Sequence, residues 1–196
     1  MKSLYDIVVK PVGKRYNNSK KVEGGNLILN TEVFNHSYIN KRAKVISTPL
    51  HNPFGIEVGE QLIIHHNVFR RWHDVKGREK NSRGFLNESE YFVSSDQVYM
   101  RGKPGSWKAI PGYTFVKPLK SIDDLDVNNE RPLVGVVKYS DGTFLPTQLV
   151  GFCPSMEFEF IIDGERLYRI MNKFINIEYE YKGNEEEYNP SWAQSC

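Results

Sequence analysis

His65 and His66, with His73 a short way along the chain, are the side chains best suited to hold a metal ion or move a proton. Adjacent residues on a strand point to opposite faces, so His65 and His66 do not converge on one ion. No cysteine or second acidic ligand stands at a zinc-like interval from them. The expectation is structural or surface histidines, with no metal and no cofactor. Two cysteines, Cys153 and Cys196, are too few for a disulfide framework and too far apart to read as a metal pair. Cys153, between Phe152 and Pro154, reads as a small buried hydrophobe. Gly24-Gly25 lacks the Lys-Ser/Thr that a phosphate-cradling loop requires, and no Gly-x-Ser-x-Gly elbow occurs. With neither nucleophile nor base in a recognisable setting, the chain is not expected to be an enzyme.

One basic cluster stands out. Between Arg70 and Arg83 the chain carries six cationic side chains and two acidic ones, with Trp72 inside and Phe69 just before. Such a segment can stack on and neutralise single-stranded nucleic acid. A solvated, exposed hairpin is the preferred reading, because Asp74 and Glu79 dilute the field. A formal charge of only +2 over the chain also argues against a dedicated nucleic-acid binder or a membrane-surface protein. Arg70, Arg71 and Trp72 are kept as a secondary contact.

The elements that position these residues are strands. The 196 residues include only three alanines but 17 Val, 14 Ile, 11 Tyr and 11 Phe, a composition that favours pleated structure over helix. Fifteen glycines and ten prolines punctuate the strands, so the expectation is an all-β protein. No apolar run approaches the roughly 18 residues that span a bilayer. The first residues, Met1 to Asp6, reach a charge before a signal-peptide core could form, so a cytoplasmic location is expected.

The pattern repeats along the chain. Val8-Val9-Lys10-Pro11 returns as Phe115-Val116-Lys117-Pro118, and the strand Ala43–Ser47 has a counterpart in Leu133–Lys138. Gln61–His65 matches Gln148–Phe152, and the strands around Tyr91 and Val98 match Arg166–Ile170 and Ile175–Tyr179. The same strands in the same order point to two copies of one small β unit. The division is a first domain over 1–100, a Gly- and Pro-bearing linker over 101–111, a second domain over 112–181 and a flexible tail over 182–196. A single sandwich whose strands merely look alike is the alternative. Asp163-Gly164 reads as a hairpin turn.

The first half resembles the 10 kDa chaperonin family, the GroES-like co-chaperonins. An N-terminal strand ends in Lys10-Pro11, and a long polar loop then carries Gly24-Gly25 before an aliphatic triplet, Leu27-Ile28-Leu29. A basic residue leads into the strand Arg42–Ile46, Val58-Gly59-Glu60 opens another, and Asn87–Val93 makes an acidic-to-aromatic return. The resemblance implies two tandem small β-barrels, the first with a mobile loop over about 14–41. It also implies that Leu27, Ile28 and Leu29 dock into a groove on a GroEL-type chaperonin, with Gly24 and Gly25 giving the turn. Ordering so polar a loop opposes its docking, so single copies bind weakly and a seven-fold ring binds through effective concentration. Such a ring would cap the chaperonin and enclose an unfolded client. This sequence departs from the family in three places. Asn26 separates the glycines from the triplet, the interval Thr48–Gly55 is too short for the paired strands of a roof, and the segment from Arg70 to Asn87 is longer than the family's. The second half, with an acidic Ser121–Glu130 in place of the loop, is not expected to make the chaperonin contact. The alternative is a structural or adaptor protein, for instance a viral assembly component, that reuses the same barrel.

Overall fold

The structure, a computed structural model, describes residues 3–17, 19–22, 25–28, 35–121, 130–180, 183 and 185–194. It is predominantly β, and among the described residues the one α-helix is a single short turn, α1 (Ser191–Gln194). The chain divides into two compact units, Met1–Lys103 and Pro104–Cys196.

The first unit contains β1 (Ile7–Pro11), β2 (Ser19–Val22), β3 (Gly25–Ile28), β4 (Arg42–Ser47), β5 (Gln61–Ile64), β6 (Arg71–His73), β7 (Glu79–Asn81), β8 (Tyr91–Val93) and β9 (Val98–Lys103). Five of these form one antiparallel ladder in the order β9-β5-β4-β1-β8. β2 pairs with β3, and β6 with β7, as separate two-stranded sheets. Alternation in β4 buries Ala43 and Val45 and leaves Lys44 exposed, whereas the first three residues of β1 are all buried. Leu62, Ile64, Phe69, Val93 and Met100 complete an apolar interior from which water is excluded.

The second unit contains β10 (Ser106–Ala109), β11 (Tyr113–Lys120), β12 (Glu130–Ser140), β13 (Leu149–Phe152), β14 (Phe158–Ile162), β15 (Glu165–Met171) and β16 (Ile175–Tyr179). Its ladder runs β14-β15-β11-β12-β13-β16. If β1, β4, β5, β8 and β9 are matched with β11, β12, β13, β15 and β16, the two orders are the same.

The correspondence extends to individual residues. The β1–β4 register slips between Val8 and Val9, and the β11–β12 register slips between Phe115 and Val116, at the same point of the repeat. The slip between Ile63 and Ile64 opposite β9 has its counterpart between Gly151 and Phe152 opposite β16. Shared bulges count for more than shared order, because each re-aims a strand at one defined residue. The turn before β5 recurs too. Gly59 N–H donates to Val45 O (3.0 Å) and Val45 N–H to Glu60 O (2.9 Å), as Thr147 N–H donates to Val137 O (2.8 Å) and Val137 N–H to Gln148 O (2.9 Å). Gln61 is therefore the counterpart of Leu149. Matching the two glutamines, as the sequence suggests, is one residue out of register.

Neither ladder closes on itself among the described strands. Two other expectations change. Residues 101–111, expected as a linker, are largely strand: β9 runs to Lys103, β10 follows, and Trp107, Ala109 and Ile110 are buried. Proline and glycine mark the turns at Pro104-Gly105 and Pro111-Gly112, and the alternating apolar residues between them are drawn inward. The tail is held rather than free where it is described. Tyr188 N–H donates to Pro118 O (2.9 Å), Lys120 N–H donates to Glu186 O (2.8 Å), and Ala193 is fully buried. The Asp163-Gly164 turn joins β14 to β15 with both residues at positive φ, the geometry of a two-residue hairpin.

Candidate functional site

Between β1 and β4 the first unit inserts residues 12–41, whereas the second joins the matching strands through 121–129. Tyr16 and Ile39 form an antiparallel bridge at the neck of that insertion. Asn17 N–H donates to Tyr38 O (2.8 Å) and Asn40 N–H to Arg15 O (3.1 Å). The Asn40 side chain is nearly buried and fully used: Nδ2 donates to Val12 O and Lys14 O (both 2.8 Å), and Oδ1 accepts from Arg42 N–H (2.8 Å). One side chain thus satisfies backbone groups on both limbs, where an orphaned group would cost about 1–3 kcal/mol.

Arg15 ties the neck to a second hairpin. Its Nε donates to Phe69 O (2.6 Å), Nη2 to Arg70 O (3.1 Å) and Nη1 to Asn81 Oδ1 (2.7 Å). The guanidinium lies over the Tyr91 and Phe85 rings, 5.2 and 5.9 Å from their centroids. Burial pushes the Tyr91 hydroxyl above its ordinary range, with the Arg15 charge pulling the other way. Tyr16 OH accepts from Arg71 N–H (2.8 Å), and the Arg71 guanidinium stacks 4.8 Å above the Tyr16 ring. Only planar, multi-donor guanidinium groups can hold a backbone turn and an aromatic face at once.

Beyond the neck, β2 and β3 pair in register from Ser19–Ile28 to Val22–Gly25. Within the expected mobile loop, Ser19–Val22 and Gly25–Ile28 are therefore paired strands, held by their own backbone hydrogen bonds. Leu27 is opposite Lys20 and half exposed, at 52%. Gly25 opens β3 and is exposed, with open space where a Cβ would be. Ile28 ends β3. Gly24 and Leu29, the other two residues of the expected contact, lie outside the described residues.

Of the secondary contact residues, Arg70 lends its carbonyl to Arg15 and Arg71 pairs with Glu79 at 3.1 Å, while Trp72 stays 43% exposed. Phe69, which the sequence places beside Trp72 as a possible stacking residue, is fully buried edge-on to Tyr91. The histidines gather differently from the strand argument. His66 lies in the turn after β5, its ring 4.3 Å from His65 and 5.5 Å from His36 at the neck. Burial, then the neighbouring His65 and His36, hold the His66 imidazole down to about 3. Among the described residues, no group of three His, Cys, Asp or Glu could hold a metal ion, and no helix is long and apolar enough to cross a membrane.

Arg15, Tyr16 and Asn40 are the residues that sequence reasoning missed. The available signal was bulky Tyr16 and Tyr38-Ile39 bracketing a polar stretch, which marks where an insertion leaves the folded body. No protein-family model matches the chain, and no curated protein matches it in sequence.

Proposed function

We propose that the protein is a co-chaperonin that caps a GroEL-type chaperonin with the insertion between β1 and β4. The observation that carries this reading is Leu27. It is a large aliphatic residue left half exposed on a hairpin outside the main sheet, beyond a neck built to fix where the hairpin starts. An exposed aliphatic residue on a projecting strand gains most from a partner groove, where full burial contributes about 1.5–3 kcal/mol per side chain. Leu27, Ile28 and Leu29 supply that contact, Gly24 and Gly25 its turn, and a ring of copies its avidity. The GroES-like relationship in this proposal rests on sequence motifs, loop placement and a repeated strand order. Closure of each sheet into a barrel belongs to the proposal.

Work on the client is then mechanical, and nucleotide hydrolysis belongs to the chaperonin. The experiment is a pull-down with a GroEL-type chaperonin in the presence and absence of ATP, comparing the natural chain with Leu27→Asp. Nucleotide-dependent capture of the natural chain, lost in the variant, is expected. Capture of neither chain, or of both equally, rejects the reading. Nucleotide-independent attachment to some other fixed partner through the same hairpin would instead mark a structural adaptor.

A further inference from the structure

The hairpin of β6 and β7 has two unlike faces. Residues directly opposite on paired strands share a face. Arg71 is opposite Asn81 and His73 opposite Glu79, and this face turns to the neck, where Arg71 stacks on Tyr16 and Asn81 accepts from Arg15. Trp72 is opposite Lys80 on the other face. Both are exposed, as are Lys76 and Arg78 around the turn.

Of the two acids that dilute this segment in sequence, one faces the neck and the other is held in the turn. Glu79 is paired with Arg71 on the neck-side face. Asp74 Oδ1 accepts from the Lys76 and Arg78 N–H groups (both 2.9 Å), shaping the turn. The outward face therefore offers an exposed indole opposite Lys80, with Lys76 and Arg78 exposed at the turn and one tied-down carboxylate. The net charge of +4 over residues 70–83 exceeds the +2 of the whole chain.

We infer that this face binds single-stranded nucleic acid, with a base stacked on Trp72 and phosphates against Lys76, Arg78 and Lys80. Charge complementarity selects an anionic partner, and the exposed indole between cations selects one that alternates flat rings with phosphates. An acidic peptide offers the charge without the ring. This inference is independent of the chaperonin reading and uses none of the residues of the β2–β3 hairpin.

The test is fluorescence anisotropy of a labelled 20-nucleotide oligothymidine with the full chain. Three phosphates neutralised on a single strand give an affinity that falls about 20-fold between 50 and 200 mM salt. Trp72→Ala weakens binding about tenfold or more, the scale of one lost stacked base. Lys80→Glu abolishes binding, and Lys44→Glu, a matched charge reversal at an exposed position of β4, leaves it intact. Thermal melts establish that each variant is folded. Three results overturn the inference: no binding at 50 mM salt, equal damage from Lys44→Glu and Lys80→Glu, or indifference to Trp72→Ala. Displacement of the oligonucleotide by a poly-glutamate peptide at equal charge also overturns it, assigning the face to an acidic protein partner.

Discussion

The two units share five strands in one order, the same two register slips and the same turn before their third strand, yet they differ in what leaves the ladder. The first unit sends out residues 12–41 and a second hairpin over 71–81; the second joins the matching strands by short paths and covers its edge with β14. In the first unit the place of β14 is taken by a bridge from Phe85 to Tyr91, beside Gly84 O accepting from Phe92 N–H. The ladder needs only alternating apolar residues and a few fixed turns, and it tolerates wide differences in its connections. Activity concentrates on such connections, held by a rigid scaffold. The proposed chaperonin contact is accordingly assigned to the unit with insertions.

Breaking the shared ladder should give the largest effects. Phe115, fully buried against Phe160 in the second unit, is the counterpart of Val8 in the first. Phe115→Ala should destabilise by about 3–5 kcal/mol. Val8→Ala should cost less, since fewer buried atoms are removed. Denaturant titration of both variants measures the difference.

Breaking what is unique to the first unit should be milder. Asn40→Ala leaves two carbonyls and an amide at the neck without their partner, a loss of about 1–3 kcal/mol. Amide exchange at Asn17 and Ile39 should speed up, while the second unit keeps its protection.

A subtler comparison lies in the shared turn, where Gly59 adopts φ +94° and its counterpart Thr147 adopts φ +70°. A β-branched residue is strained there, by about 1–3 kcal/mol. Thr147→Gly should therefore raise stability, by about 1 kcal/mol at most because glycine loses more backbone entropy. Gly59→Thr should lower it. Opposite shifts in midpoint for the two exchanges check the equivalence of the turns.

The remaining expectation is an acid sensitivity of the first unit carried by His66. His66 has a folded value of about 3 against an ordinary value near 6.5, so the unfolded chain binds the additional proton between them. Its contribution is fully present above about pH 6.5 and is lost as pH falls through that window toward 3. Its counterpart in the second unit is Pro154, which does not titrate. His66→Gln should flatten the dependence of the melting temperature on pH in this range.

The ladder was largely legible in the sequence because strands announce themselves by local alternation, as in Ala43–Ser47, and by turns such as Asp163-Gly164. Exact register was less so. Gln61 and Gln148 look like partners, but the turn before each strand sets the count, and it places Gln61 with Leu149. The linker and the tail misled by composition: proline, glycine and glutamate suggested loose chain, whereas Trp107 and Ala193 are buried. The aliphatic triplet of the candidate site, Leu27-Ile28-Leu29, could be read from residue type alone. Its neck could not, because Arg15 and Tyr16 bond to a backbone more than fifty residues away, and no local pattern encodes that meeting.

The account stands most directly on the ATPase of a GroEL-type chaperonin, titrated with the natural chain and with a chain whose residues 17–38 are replaced by a short Ser-Gly connection like the second unit's. The natural chain should suppress hydrolysis, and the shortened chain, still folded by circular dichroism, should leave it unchanged. Equal suppression by both chains, or none by either, contradicts the assignment of the contact to this insertion.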